Sequence, residues 1–204
     1  MIGPSRRLVV AALALAPAGC TSLLPAAGAP PKLYTLTPAA DFPPDGAHVA
    51  WQLLVDVPAS AVALDTDRIA LSRSPTTIDY FADAVWTDRA PLLVQSLLVQ
   101  SFENSGRITA ISRESLALRA DYILRPELRH FEADYGAGGG TPSAHVQIGA
   151  KLVKMPERTI VAQRRVDTRA PARENQVPVI VEAFNTALHE GMRELVGWTL
   201  DAGR

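Results

Sequence analysis

Alternation of apolar and polar residues, with a period of two, is the pattern that most constrains the fold of this 204-residue chain. In the segment from Trp51 to Val57, Leu53 and Val55 share one face with the two end residues, and Pro58 ends the pattern. A period of two is typical of a strand with one buried face. Further strands are predicted, from alternation or from short apolar runs, over residues 33–37, 68–72, 77–86, 107–112, 122–135, 144–152 and 159–168.

Turn-forming residues join four of these strands in pairs. Ser74 and Pro75 lie between the strands predicted over 68–72 and 77–86, and residues 155–158 lie between the last two. Each pair is therefore predicted to form an antiparallel hairpin. The glycine-rich residues 136–142 are predicted to form a flexible connection.

Two other segments have helical spacing. The first is predicted to have Asp88 as its N-cap and Pro91 in its first turn, and to end at residues 104–106. The second has Asn175 as its predicted N-cap and Pro178 in its first turn. Its apolar stripe comprises Ile180, Phe184, Ala187, Leu188, Gly191, Leu195 and Trp198.

These elements predict an α+β fold, with a mostly antiparallel sheet built from hairpins and two main helices packed on one face. Residues 32–204 are predicted to form a single domain, because that length suits one hydrophobic core. Gly191 costs the second helix about 1 kcal/mol relative to Ala. We therefore predict a close contact there, with the sheet or with another subunit.

The first 20 residues have the layout of a bacterial signal peptide that ends before a cysteine. Two arginines precede an apolar run over residues 8–15, and small residues lead into Cys20. The run is shorter than the roughly 20 residues of a membrane-spanning helix. Residues 1–19 are therefore predicted to be removed. The cleavage site resembles a lipobox, with Pro17 where lipoboxes usually carry an aliphatic residue.

Cys20 is the only cysteine and cannot form an internal disulfide. Acylation with chains such as palmitate would remove the liability of a free thiol in an oxidising compartment; the alternative is a plain secreted protein with an unpaired thiol. Residues 20–31 are predicted to be a lipidated flexible tether. Inner-membrane lipoproteins commonly carry Asp at the next position, so Thr21 favours the periplasmic face of the outer membrane over the inner membrane.

The charge balance argues against a nucleic-acid partner. The full chain has 20 basic and 21 acidic side chains. Removal of residues 1–19 takes away two arginines and no acid, which leaves 18 basic and 21 acidic side chains and a formal charge of −3. Nucleic-acid-binding domains carry clustered positive charge.

No catalytic or metal-binding motif is apparent. The histidines, His48, His130, His145 and His189, lack the i, i+4 spacing of helical metal ligands, and His130 is predicted to lie on a strand surface. The glycine-rich segment lacks the Lys-Ser/Thr of a Walker loop. Residues 65–67 lack the Gly and distal Glu of a calcium loop. We therefore expect a protein that is not an enzyme and has no cofactor beyond covalent lipid.

The strand over 77–86 carries the candidate partner surface. Alternation places Tyr80 and Trp86 on one face and Phe81 with Val85 on the other, so both sets can be buried only if each face is covered. Core packing is the alternative. The candidate residues for a partner or homo-oligomer surface are Asp79, Tyr80, Phe81, Asp83, Val85 and Trp86.

Six short motifs follow one another in a characteristic order. They are residues 33–36 (LYTL), 79–86 (DYFADAVW), 120–124 (ADYIL), 128–132 (LRHFE), 161–164 (VAQR) and 183–188 (AFNTAL). Together they resemble the ABC-type transport auxiliary lipoprotein family of Gram-negative bacteria, which accompanies lipid transport systems of the mammalian-cell-entry (MCE) and paraquat-inducible types.

The resemblance implies a non-catalytic lipoprotein at the outer-membrane end of an intermembrane lipid transport machine. Its implied partners are an MCE-type periplasmic protein with its ABC transporter complex, and the membrane through the lipid anchor. Two alternatives remain open: a structural envelope lipoprotein that binds another complex, and a periplasmic hydrolase with an unrecognised site.

We predict that Cys20→Ser releases the protein from the membrane, because stable attachment needs more than one acyl chain and Cys20 is the only acceptor proposed. Membrane fractionation should find the variant in the soluble fraction, whereas Thr21→Ser should stay membrane-bound. Mass spectrometry that found Met1 or an unmodified Cys20 at the mature N-terminus would contradict this prediction.

Overall fold

The computed structural model describes residues 30–43, 46, 48–113 and 119–204. The predicted signal peptide, Cys20 and the tether up to residue 29 lie outside the described residues. The strands are β1 (Lys32–Tyr34), β2 (Val49–Val55), β3 (Ala59–Ser60), β4 (Arg68–Ser74), β5 (Thr77–Trp86), β6 (Ile108–Ser112), β7 (Tyr122–Asp134), β8 (Ser143–Lys154) and β9 (Thr159–Pro171). The helices are α1 (Ala90–Ser105) and α2 (Val177–Ala202).

Strand β7 is the centre of one twisted sheet. Along one edge it pairs with β8 from Tyr122 to Asp134. Along the other edge it pairs in turn with β2, β3 and β4. The sheet extends beyond these strands through β6 on β2, β5 and β1 on β4, and β9 on β8.

The prediction of an α+β fold with a mostly antiparallel sheet is confirmed. Both predicted hairpins form, as β4–β5 and β8–β9, and the long β7–β8 ladder is also antiparallel. The pairings of β2, β3 and β4 with β7, of β1 with β5 and of β2 with β6 are parallel. These parallel pairings and the two-residue strand β3 were not predicted.

The helices lie where predicted, but their N-terminal caps differ. Arg89 occupies the N-cap position of α1 and Gln176 that of α2, and neither makes a side-chain capping hydrogen bond. The predicted caps, Asp88 and Asn175, are therefore wrong. The Asn175 side chain instead accepts a hydrogen bond from the Tyr135 hydroxyl at 2.6 Å. At the other end of α1, a Gly cap in the left-handed region forms as expected, with φ of 62°.

One hydrophobic core joins the sheet to both helices, and three aromatic side chains from different elements meet in it. Trp86 of β5 lies 5.2 Å from Phe184 of α2 and 5.6 Å from Phe131 of β7, measured between ring centroids. Phe131 and Phe184 are 5.1 Å apart. Tilted and edge-on contacts of this kind add to the burial of large apolar surfaces.

Helix α2 packs closely on β8 and β9. A Cβ atom at Gly191 would lie 3.3 Å from a methyl group of Val166, so the helix and sheet are in contact there. Nearby, the Thr168 hydroxyl donates a hydrogen bond to the backbone carbonyl of Ala187 at 2.8 Å. The predicted close approach at Gly191 is therefore confirmed, and its partner is the sheet.

A strap formed by residues 36–39 ties the N-terminal end of the domain to both helices. The backbone N–H of Thr37 donates to the Asn185 side chain of α2 at 2.9 Å. Ala39 is fully buried; its N–H donates to Ser101 of α1 at 3.0 Å, and its carbonyl accepts from Asn104 at 2.9 Å. The strap directly follows β1.

Neither α1 nor α2, the helices in the described part of the chain, combines the length and the apolar character needed to cross a membrane.

Candidate functional site

The predicted partner surface on β5 divides into two parts. At its C-terminal end the strand edge is occupied by β1, where Val85 pairs with Leu33 and Trp86 with Tyr34, and the Val85 side chain is half-buried. Trp86 is only 1% exposed and packs in the aromatic core. Trp86 therefore does not belong to a partner surface, and this part of the prediction is wrong.

A bulge breaks the alternation assumed for β5. Arg68 of β4 pairs with Val85 and Ala70 pairs with Tyr80, so one residue of β4 stands opposite four residues of β5. A bulge re-aims the side chains that follow it. Beyond the bulge the period of two resumes, with Ala84 and Trp86 both buried, so the alternative of core packing holds for Trp86.

The remaining residues, Asp79, Tyr80, Phe81 and Asp83, form a mixed surface that we call the β5 patch. Asp79 and Asp83 are exposed, and Phe81 is half-buried at the edge of the core. Tyr80 is fixed, because its hydroxyl donates to the carbonyl of Ala63 at 3.0 Å and the Arg68 guanidinium lies 3.9 Å above its ring. Aromatic and charged groups thus lie side by side.

The larger candidate surface is the face of β7, β8 and β9 opposite α2. Val166 and Thr168 face α2, so the alternating residues Arg165, Asp167 and Arg169 project from the other side. The register extends this face to the residues paired with them on β8 and β7. We call this surface the open face.

A basic groove with a volume of about 1150 Å³ occupies one end of the open face. Arg129 reaches across it, and a Cβ atom at Gly149 would lie 3.4 Å from the Arg129 guanidinium. The absence of a side chain at Gly149 leaves the room for this crossing. The cations that line the groove are Arg125, Arg129, Lys151, Arg158, Arg164 and Arg165; of these, Arg164 reaches back to Glu194 of α2.

Positive charge in the basic groove is only partly neutralised. Arg125 pairs with Asp56, Arg129 with Glu127, and Arg164 with Glu194. The Arg129 guanidinium holds the pKa of Glu127 below its ordinary value. The other three cations, Lys151, Arg158 and Arg165, form no ion pair within the described residues.

The other end of the open face carries a polar cluster centred on the buried carboxylate of Glu132. Glu132 Oε1 lies 2.6 Å from Nδ1 of His130 and 3.5 Å from Nδ1 of His145. Its second oxygen accepts a hydrogen bond from the backbone N–H of Phe131 at 2.7 Å. The two imidazole rings stack with their centroids 4.2 Å apart. We call this group, with Asp134, Asp167 and Arg169, the histidine cluster.

Three groups hold the His145 ring in this cluster. Its Nε2 lies 2.9 Å from Oδ1 of Asp167, and its Nδ1 lies 3.0 Å from a guanidinium nitrogen of Arg169. Arg169 is itself held by Asp134 at 2.6 Å. A guanidinium can only donate. A neutral His145 therefore accepts from Arg169 and donates to Asp167, whereas a protonated ring directs Nδ1–H toward Glu132.

Burial and hydrogen bonding act on the pKa values of this cluster in opposite directions. Burial alone would lower the pKa of His145, but its hydrogen bonds to Glu132 and Asp167 outweigh burial and raise the pKa above 6.5. Burial would raise the pKa of Glu132, but hydrogen bonds from His145 and His130 lower it below 4.5. The cluster thus favours a charged pair.

This cluster was not predicted, because the histidines were compared only with the i, i+4 spacing of ligands on a helix. His130 and Glu132 are two residues apart on one strand, and hairpin pairing brings His145 opposite Glu132. Strand periodicity together with the β7–β8 register could have found the group. The prediction that His130 is a strand-surface residue holds for its half-exposed side chain, but it omitted these two partners.

Comparison with known proteins places most of the chain within one family. A family model described as "ABC-type transport auxiliary lipoprotein component" matches residues 34–196. The uncharacterized protein bll6063 of Bradyrhizobium diazoefficiens is 30% identical over 175 residues, which are 85% of this chain and 46% of that protein. The chain therefore spans about half the length of this relative.

Two crystal structures share the fold. Protein XCC0632 of Xanthomonas campestris has 34% sequence identity and a TM-score of 0.79, with 84% of this chain and 96% of that chain covered. A second uncharacterized protein has 12% identity and a TM-score of 0.64, with 82% and 97% covered. The second likeness concerns the fold alone.

The pKa directions in the histidine cluster predict a pH-dependent contribution to stability. The raised pKa of His145 means that its contribution is complete below about pH 6.5 and lost as pH rises through the raised value. The lowered pKa of Glu132 means that its contribution is complete above about pH 4.5 and lost as pH falls through the lowered value. The cluster should stabilise the fold most between these limits.

We therefore expect His145→Gln to destabilise the protein by about 3 kcal/mol near pH 5.5, since it removes one partner of a buried ion pair. The loss should become smaller at a pH above the raised pKa of His145, where the native ring is neutral as well. Urea unfolding at both pH values measures the difference, with the exposed His48→Gln as control. An equal loss at both pH values would refute the prediction.

Proposed function

The chain belongs to the ABC-type transport auxiliary lipoprotein family, as its sequence motifs predicted, and from this we propose that it serves an MCE-type intermembrane lipid transport system as a non-catalytic subunit. The observation that carries the proposal is the family match across nearly the whole folded region, residues 34–196. An MCE-type periplasmic protein and its ABC transporter complex are the proposed partners.

The proposed site of action is the periplasmic face of the outer membrane. Acylated Cys20 would hold the chain on the bilayer, and Thr21 supports the outer over the inner membrane. The first folded elements after the tether are β1 and the strap of residues 36–39. Because the strap is bound to both helices, a lipid anchor on the tether would be connected directly to the core of the domain.

The two alternative functions left open by the sequence lead to different experimental outcomes. A structural envelope lipoprotein would bind another complex, and its gene need not neighbour transport genes. A periplasmic hydrolase would need a nucleophile or activated water, and would lose activity on one Ser, His or Asp substitution. Adjacent genes for an ABC permease, an ATPase and an MCE protein would support the transport proposal over both.

We propose the β5 patch as the surface for an MCE-type partner or a second copy of the chain. Phe81 supplies apolar area, and Asp79 and Asp83 surround it with charge. Interfaces commonly combine an aromatic centre with a polar rim. The fixed ring of Tyr80 lowers the entropic cost of binding at this surface, because its hydroxyl and its face already have partners.

We predict that Phe81→Asp weakens assembly while the domain stays folded. Loss of an aromatic anchor from an interface typically costs about 2 kcal/mol or more, equivalent to at least about a 30-fold loss of affinity. Co-purification with the MCE protein and sedimentation velocity measure partner binding and self-association.

Val57→Asp is the matched control, because Val57 is 49% exposed and lies between β2 and β3, outside the β5 patch. Circular dichroism monitors folding. If Phe81→Asp unfolds the domain, Phe81 belongs to the core; if co-purification and sedimentation are both unchanged, the β5 patch is not the interface.

We further propose that the basic groove contacts the phosphate-bearing headgroups of lipids. Three of its cations have no ion-pair partner in the described chain, and Ile160 beside them is 59% exposed. Val161, the next residue, is 44% exposed. Cationic and apolar groups together suit the boundary between headgroups and acyl chains.

The double variant Lys151→Glu/Arg165→Glu should weaken binding to vesicles that contain anionic phospholipid. Each basic residue contributes about 1 kcal/mol at an anionic surface, so we expect at least a tenfold weaker association. Vesicle flotation with residues 20–204 carrying Cys20→Ser measures this without the acyl chains. Lys32→Glu, on the opposite edge of the sheet, should behave as the parent does. Equal binding of the double variant would exclude the groove.

A further inference from the structure

We propose that His130, Glu132 and His145 bind a divalent transition-metal ion, with Zn²⁺ as the best-suited ion. The three residues each offer one ligand atom, and all three atoms lie within 4.8 Å of one another. Two imidazoles and a carboxylate are a ligand set that zinc accepts, with a fourth position left for water. This proposal does not depend on the role in lipid transport.

The ligand atoms are close enough to share one ion, but the His130 ring must turn, because two rings stacked with their planes 20° apart cannot both point a nitrogen at the same atom. Bonds of about 2.0–2.2 Å in a tetrahedral zinc site place ligand atoms about 3.3–3.5 Å apart. The separation of Glu132 Oε1 from His145 Nδ1 is 3.5 Å, which already fits. The separation from His130 Nδ1 is 2.6 Å and must widen as the metal replaces the hydrogen bond. The His130 side chain is 45% exposed, so it can move and leaves a route for the ion.

The groups around the ligands are arranged as supporting contacts of a metal site. Asp167 accepts a hydrogen bond from His145 Nε2, which leaves Nδ1 as the ring nitrogen directed at Glu132. Metal-binding histidines commonly donate their other nitrogen to a carboxylate in this way. The backbone N–H of Phe131 holds one oxygen of Glu132, so the other oxygen faces both rings.

Charge balance favours the uptake of a cation. With both imidazoles neutral, the carboxylates of Glu132, Asp134 and Asp167 oppose a single guanidinium, that of Arg169, so two negative charges remain. Only the Glu132 carboxylate is buried, with its side chain 5% exposed, and a buried charge is unfavourable unless it is neutralised. Either protons on the imidazoles or a divalent ion can supply the missing positive charge.

Arg169 competes with the ion for His145 Nδ1, which it contacts at 3.0 Å. Metal binding requires the guanidinium to release this contact and keep its ion pair with Asp134. Arg169→Gln should therefore bind the metal at least as tightly as the parent protein, because the competing donor charge is gone. This outcome separates a metal site from an ion-pair network, which the same substitution would weaken.

The test uses the full lipidated chain, purified in detergent and stripped of metal with a chelator. Isothermal titration near neutral pH should give saturable binding of one Zn²⁺ per chain. Cobalt substitution should give an absorption spectrum typical of nitrogen and oxygen ligands. Asp167→Asn should weaken Zn²⁺ binding by about 10- to 100-fold, the usual effect of losing such a supporting contact. His130→Asn removes a ligand and should weaken it further.

His48→Gln is the matched control, because it removes an exposed histidine outside the cluster. It should bind Zn²⁺ as the parent does. Thermal unfolding checks that each variant is folded. His130→Asn should fold because the native side chain lies partly at the surface, so a loss of Zn²⁺ binding in this variant reports on the site itself. Absence of saturable binding in the parent, or equal binding in His130→Asn and His48→Gln, would overturn the proposal and leave protonation as the source of neutralising charge.

Discussion

The hydrogen-bonded edges of β7 determine the positions of all the other strands. One edge binds β8 over its length, while the other binds β2, β3 and β4 in succession, and the outer strands attach only through these neighbours. Pro126 lies where the partner changes from β2 to β3, a position at which a missing N–H breaks no continuous ladder. A different register of β7 against its neighbouring strands would displace the β5 patch, the basic groove and the histidine cluster.

The charged open face follows from how few elements cover the sheet. Helix α2 covers one side of β8 and β9, and the aromatic core at Trp86 and Phe184 closes that side. The other side of these long strands is left for polar side chains. At one end this face accumulates cations around the basic groove. At the other, cross-strand pairing confines Glu132 between two histidines, so burial there is offset by hydrogen bonds.

Local sequence patterns could predict the elements but not all their pairings. Alternation located both hairpins, and proline with glycine placed the two helices within a few residues. The parallel pairings of β2 and β4 with β7 join strands separated by long connections, for which no local pattern exists. The aromatic cluster of β5 is equally compatible with a core and with a surface, and the bulge that separates Tyr80 from Trp86 has no signature in the alternation. The histidine cluster depends on the β7–β8 register, and the sequence of the connecting loop, residues 136–142, does not determine that register.

The length of the tether limits how far the two proposed surfaces can lie from the membrane. Residues 20–31, fully extended, span at most about 40 Å, which is close to the diameter of a domain of this size. An acylated Cys20 would therefore permit the domain either to rest on the bilayer or to stand away from it. The β5 patch lies near β1, where the chain enters the fold, and the basic groove lies toward the β8–β9 hairpin on the far side of the sheet. One surface can then contact lipid while the other remains available to a protein partner.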